Sequence, residues 1–222
     1  MTLSLIIPVL NAAGTLEFVL KRAGAVADEI IVVDGGSSDA SRPIAANHKA
    51  KVLSAPKGRG RQLSYGAAAA SGEWLLFLHA DTMLEENWAR CAGEFMSSQD
   101  SSDRAAYFRL AFDETGFRPA IVAAMANWRA RWLGLPYGDQ GLLVSRALYD
   151  AVGGYDDRPL MEDVDLVRKI GRRRLTCLRA TAVTSAERYR RSGWAFRVAR
   201  NVVCLGLYFL GVPPTRIAKL YG

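Results

Sequence analysis

The sequence is poor in the residues that build disulfide and zinc frameworks. Its 222 residues include three cysteines, Cys91, Cys177 and Cys204, and two histidines, His48 and His79. An odd number of thiols without metal-ligand spacing excludes a disulfide scaffold, and two imidazoles are too few for a zinc site. A reducing, cytoplasmic setting is the expectation that follows. Long apolar runs are also missing. The run within residues 1–10 has no basic leader and no small-residue cleavage site, and Pro8 followed by Asn11 ends it, so it reads as a first strand and not as a signal peptide. Acidic residues are scarce at one end only. Of the 29 basic and 22 acidic residues, thirteen and one lie from Arg168 onward, leaving 16 against 21 before it. The net charge of +7 therefore belongs to the C-terminal quarter, where it points to an anionic surface or partner.

What is present suffices for one globular domain, since half the residues are apolar. The chain is organised around residues 73–82, Glu-Trp-Leu-Leu-Phe-Leu-His-Ala-Asp-Thr. Residues 74–78 form an apolar run suited to a strand buried on both faces, and His79, Ala80 and Asp81 follow at its carboxyl end, where open α/β sheets keep their ligand crevice. Upstream, residues 3–9 and 29–34 read as strands. A helix between them runs to about residue 26, with Leu16, Val19 and Leu20 inward. Gly35-Gly36-Ser37-Ser38-Asp39 supplies a turn before a helix that has Pro43 near its first turn. A short strand over 51–54, a basic loop over 57–61 and a small-residue helix over 62–70 complete a βαβαβαβ order. That order predicts an α/β fold with a mostly parallel sheet and helices on both faces. Beyond it the pattern predicts helices over 88–96, 117–133, 146–152 and 161–170, with strands over 105–113 and 142–144.

Four segments, Ser4-Leu-Ile-Ile-Pro-Val-Leu-Asn11, Val33-Asp-Gly-Gly-Ser-Ser-Asp39, Phe77-Leu-His-Ala-Asp-Thr82 and Met161-Glu-Asp-Val-Asp165, resemble in order and spacing the inverting family 2 glycosyltransferases of the GT-A (Rossmann-like) fold. The resemblance covers roughly residues 3 to 185, and within the family the chain looks most like a bacterial subgroup linked by name to arsenosugar biosynthesis. It implies a GT-A domain over 1–185, followed over 186–222 by a basic, apolar helical extension. It also implies transfer of a sugar from a nucleotide-diphosphate sugar to an acceptor hydroxyl with inversion, assisted by Mn²⁺ or Mg²⁺.

The resemblance places Pro8, Asn11, Asp34, Gly35, Lys57, Arg61 and Asp81 around the donor, with Asp34 receiving the nucleotide; by their own chemistry Lys57, Arg59 and Arg61 either line the diphosphate or form a solvated basic loop. His79-Ala-Asp81 stands where the family has Asp-x-Asp, so Asp81 matches the metal-binding carboxylate. His79 replaces the other Asp and is either a nitrogen ligand or a structural residue. Glu162-Asp163 stands where the family carries its base motif, and Asp163 is the general base that takes the acceptor proton. Taken singly these residues have plainer readings. Asp34 and Asp81 suit turns or caps, and acids in a first helical turn are ordinary partners of the helix dipole. Tyr137, Asp139 and Gln140 fit sugar contacts and turn chemistry equally well, and packing is the expected fate of Trp128, Trp132 and Trp194.

Two other function classes compete. Nucleotidyl transfer expects a basic glycine-rich loop after the first strand, where this chain has neither Lys nor Arg before Gly14. A non-catalytic module would bind anionic lipid or nucleic acid through the tail; with the motifs favouring an enzyme, no nucleic acid partner is expected. In that tail Arg188-Tyr-Arg-Arg191 leads to Trp194, Phe196 and an apolar stretch over 202–212, too short to span a bilayer. It suits either the interface of an anionic membrane, with the enzyme peripheral on its cytoplasmic side, or a helical hairpin packed on the domain or in a homodimer.

Overall fold

The computed structural model describes residues 1–221. Its first half alternates strand and helix: β1 (Leu3–Val9), α1 (Ala13–Ala23), β2 (Glu29–Asp34), α2 (Ser41–Asn47), β3 (Lys51–Ser54), α3 (Arg59–Ala69) and β4 (Trp74–Phe77). These strands lie in the order β3-β2-β1-β4, all parallel. Both faces are covered, so alternate residues of β1 enter different cores: Leu5 and Ile7 pack with Leu16 and Leu20 of α1, while Ile6 packs with Leu63 and Ala67 of α3. The chain leaves β1 on one side to build β2 and β3, then returns to place β4 on the other. That reversal opens a crevice at the carboxyl ends of β1 and β4. Pro8 sits at the same point. Leu78 N–H donates to Ile6 O as the last bond between the two strands, and Pro8, without an N–H of its own, lies where β4 turns away.

The second half keeps the sheet mostly parallel, as expected, but adds two strands that run against the rest. After β5 (Thr82–Leu84) and α4 (Trp88–Met96) come β6 (Ala105–Phe112), α5 (Phe117–Leu133), β7 (Leu142–Ser145), α6 (Arg146–Ala151), α7 (Glu162–Ile170) and β8 (Leu175–Thr184). The eight-stranded sheet runs β3-β2-β1-β4-β7-β6-β8-β5, with β7 antiparallel to β4 and β6, and β5 antiparallel to β8. The sheet is therefore mixed. Strand β5 has three residues, too few for a period, and β8 follows a basic run and carries Arg179 mid-strand, so neither is legible as a strand beforehand. Helix α3 begins at Arg59, earlier than the basic loop predicts, and α1 stops at Ala23, before Gly24. Three helices close the chain: α8 (Glu187–Ser192), α9 (Trp194–Phe209) and α10 (Pro214–Tyr221). Among the described residues no helix is long and apolar enough to cross a membrane, and Cys91, Cys177 and Cys204 are all free thiols.

One buried amide locks the strand ends that frame the crevice. Gln62, 4% exposed, donates through Nε2 to Val9 O at 2.8 Å and to Val33 O at 2.7 Å. Gly35 passes so close that a Cβ there would stand 3.0 Å from that nitrogen. Replacing the amide by a hydrocarbon of similar size, Gln62→Leu, withdraws a donor from both carbonyls and should destabilise the fold by about 2 kcal/mol. The denaturant midpoint should fall with the slope unchanged; an unaltered midpoint would mean that water replaces the amide.

Candidate active site

The loops after β1 and β2 are tied together before any ligand arrives. Asn11, at φ 52°, accepts from Ser38 N–H through Oδ1 at 2.9 Å and donates its own N–H to Ser37 Oγ at 2.9 Å. Ala12 N–H and Ala13 N–H donate to Ser41 Oγ and Asp39 Oδ2, so Asp39 satisfies one of the orphan donors at the start of α1. Asp34, 2% exposed, closes its own turn through Gly36 N–H and Ser37 N–H, and Arg42 lies 3.1 Å from its Oδ2. Burial alone would raise this carboxyl; the bonds from Ser37, Arg42 and Gly36 outweigh it and hold the group below its ordinary range. Lys57 is exposed. Arg61 is drawn into a two-point pair with Asp157, away from the crevice.

A second cluster gathers at the end of β4. Asp81 is 24% exposed in its side chain, with Arg188 Nη2 at 3.9 Å from its Oδ2. Opposite stands the N-terminus of α7. Asp163 accepts from Gly138 N–H at 2.8 Å and from Val164 N–H at 2.8 Å, which fixes its carboxylate plane. Glu162 is 2% exposed and 3.4 Å from Arg59 Nη1. Its carboxyl is raised by burial, a shift that Arg59 opposes and Asp163 reinforces. His79 Nε2 is buried without a hydrogen-bond partner against the backbone of Gly138, where an added Cβ would stand 2.3 Å away. Burial, then the cations of Arg59 and Arg188, push its imidazole well below the ordinary range, so it is neutral.

Arg59, His79, Asp81, Asp139, Glu162 and Asp163 share one cavity of about 760 Å³. Pro8, Asn11, Asp34, Gly35, Lys57 and Arg61 do not line it; all except Lys57 and Arg61 sit at the ends of β1 and β2. Helices α5 and α9 supply much of the wall, through Val122, Met125 and Trp128 on one side and Val198, Val202 and Leu205 on the other. Trp128 thus has a place at the cavity, against the expectation of packing alone. Trp132 is 53% exposed, and only Trp194 packs inward, its ring 5.1 Å from Phe112 and 4.7 Å from Tyr189. Arg188 and Arg197, part of the basic tail that the sequence assigns to a membrane interface or a packed hairpin, also line the cavity, and Arg190 pairs with Glu114 at 3.0 Å. No local signal marks these arginines as different from their neighbours. Gln140 is structural, donating to Phe108 O at 3.1 Å. Arg129 holds the loop from the side, bonded to Leu135 O at 2.9 Å and stacked 3.3 Å above the Tyr137 ring.

Asp139 is the most perturbed carboxyl of the cluster. Burial raises it to about 6, with Asp163 and Asp81 adding to the shift and Arg129 and Arg59 opposing it. A group raised on folding keeps a proton that the unfolded chain has released, so its contribution to stability falls as the pH rises from about 4 toward its folded value. Asp139→Asn removes that titration. The melting temperature of this variant should rise relative to the parent between about pH 4 and about pH 7; a difference that stays flat across that range would give Asp139 an ordinary carboxyl.

With the geometry in view, the sequence model described as glycosyl transferase family 2 matches residues 4–101. No curated protein matches the chain. Among solved structures, glucosyl-3-phosphoglycerate synthase from Mycobacterium tuberculosis in complex with Mn²⁺ and uridine-diphosphate-glucose is 20% identical, the similarity covering 96% of this chain and 80% of that one at a TM-score of 0.59. The same enzyme with phosphoglyceric acid gives 22% identity over 83% and 70% of the two chains at 0.55. TarS from S. aureus gives 18% over 92% and 65% at 0.65. Residues 4–101 thus match the sequence of glycosyl transferase family 2, and the fold of the chain is similar to that of these GT-A enzymes.

Proposed function

We propose that this enzyme moves a sugar from a nucleoside-diphosphate donor to an acceptor hydroxyl with inversion, and that Asp163 is the general base. The observation that carries the reading is the convergence of two carboxylates, Asp81 from the end of β4 and Asp163 from the start of α7, on one cavity beside Asp139. The acceptor oxygen attacks the anomeric carbon, its proton passes to the Asp163 carboxylate, and the bond from that carbon to the distal phosphate oxygen breaks to release the nucleoside diphosphate. Gly138 N–H and Val164 N–H orient the base. Glu162 holds Arg59 at the cavity edge, where the guanidinium faces the departing charge. With Arg61 engaged by Asp157, Arg59 and Lys57 are the diphosphate cations, while Asp34, Gly35, Asn11 and Pro8 frame the nucleotide. Residues 1–185 form the catalytic domain in this reading, and 186–222 an extension that walls the acceptor side.

The solved relatives named above include complexes with Mn²⁺ or Mg²⁺, and the donor set here fits such an ion in part. Asp81 offers a carboxylate whose nearest described cation is Arg188 at 3.9 Å, and Asp139 Oδ1 is buried without a partner in the same cavity. Among the described residues no three ligating side chains form a cluster, and His79 Nε2 is covered by Gly138. Oxygen ligands so few suit a hard divalent ion held jointly with the diphosphate rather than a resident one. When bound, such an ion would neutralise the leaving diphosphate.

Thermal stabilisation by a panel of nucleoside diphosphates, with and without Mn²⁺, tests the donor class. Asp81→Asn should abolish the Mn²⁺ dependence of nucleotide binding in calorimetry; binding that keeps its metal dependence would remove Asp81 from the site. Asp163→Asn should leave donor affinity within a few-fold and lower turnover by about 10² or more. Normal turnover in that variant, with failure of Glu162→Gln, would move the base to Glu162.

A further inference from the structure

Helix α5 carries apolar residues on opposite faces, and only one face has a partner. Pro119, Ala126 and Ala130 are buried. Phe117, Ile121, Met125, Trp128 and Trp132 recur at i, i+4, i+8, i+11 and i+15 on the other side and are 80%, 41%, 51%, 57% and 53% exposed. Helix α9 repeats the pattern, with Phe196, Val203 and the capping Leu210 spaced by seven residues and 62%, 56% and 82% exposed. The two helices face each other across the cavity, and Met125, Trp128 and Val202 belong both to its lining and to the exposed apolar surface. The apolar surface thus continues from solvent into the cavity mouth.

The charge on these helices themselves is of one sign. Neither α5, α9 nor α10 contains an Asp or Glu, while α5 contributes Arg118 and Arg131 on the two flanks of its stripe and α9 contributes Arg200 beside Phe196. Both flanking arginines of α5 are exposed. Tryptophan and phenylalanine bordered by arginine, on a helix too short and too polar to span, are the composition of a segment that lies in the headgroup region of an anionic bilayer. A soluble partner of mixed charge would call for acids somewhere along these helices.

We propose that the exposed α5–α9 face docks on an anionic membrane and turns the mouth of the cavity toward the lipid headgroups. The contact is made by the apolar stripe, with arginines at its border, and not by the run Arg188 to Arg191, whose members reach Asp81 and Glu114. What the cavity does once docked rests on the glycosyl-transfer reading: the acceptor hydroxyl then comes from a headgroup or another amphiphile held at the surface. Docking itself needs no donor, so its failure leaves the nucleotide-binding results standing.

The test is flotation of the full chain with phosphatidylcholine vesicles and with vesicles to which phosphatidylglycerol is added, together with quenching of tryptophan emission by brominated acyl chains. The triple variant F117S/I121S/W132S alters exposed positions outside the cavity lining and should melt as the parent does. Its vesicle binding should weaken by about 10-fold or more, and the bromolipid quenching should be lost with it. R118Q/R131Q should lose the excess binding to anionic vesicles, leaving on both kinds the weaker binding that neutral vesicles show. A parent chain that does not float, or a triple variant that floats as well as the parent, overturns the proposal. So does a parent that light scattering shows to be a dimer and the triple variant a monomer, since the face would then join two copies of this chain.

Discussion

A single hydrogen bond, from Gly138 N–H to the Asp163 carboxylate at 2.8 Å, joins the parts on which the candidate site depends. It ties the loop before β7 to the first turn of α7, and it does so directly over the end of β4, because Gly138 lies against His79. Any side chain at position 138 would collide with that imidazole. The bond also explains the neutral histidine. An imidazole whose Nε2 is buried under a backbone segment, near the cations of Arg59 and Arg188, is pushed well below its ordinary range. In the pattern of the family that the sequence resembles an aspartate stands at this position; here a neutral ring fills the space, and Asp139 on the neighbouring loop lines the same cavity as Asp81.

Charge in the cavity is arranged across long stretches of chain. The acids arrive from the strand end after β4 and the start of α7, and the cations that answer them come from α3 and from the C-terminal helices: Arg59 for Glu162 and Arg188 for Asp81. Part of the excess basicity of the last quarter of the sequence therefore faces acids of the molecule itself. The apolar content of the same region is not, and the unpartnered faces of α5 and α9 are what remain on the surface.

The first half of the fold was legible because its signals are local. Strands β1, β2 and β3 have the bounds that their apolar runs and flanking turns predict, and so do helices α4 and α5, where hydrophobic periodicity meets Gly134 in a left-handed conformation at φ 66°. The failures have local causes as well. Arg59 and Arg61 were read as loop because glycines separate them, yet they begin α3, which takes one arginine to Glu162 and the other to Asp157. Strand β8 pairs with β6 in parallel and with β5 antiparallel, and its interior arginine disguises an alternation that burial makes plain.

By itself the sequence determined the α/β alternation, the acidic residues at strand and helix ends, and the family that their spacing resembles, since periodicity, turn chemistry and motif spacing all act over a few residues. Tertiary structure alone decided that β7 reverses the sheet, that Asp139 sits among the other carboxylates, that Arg188 turns inward to Asp81, and that two apolar helix faces border the cavity mouth. Each of those facts depends on segments distant in sequence meeting in space, and the energy of such a meeting, whether desolvation of a carboxyl or pairing of two charges, leaves no mark on the residues nearby in the chain.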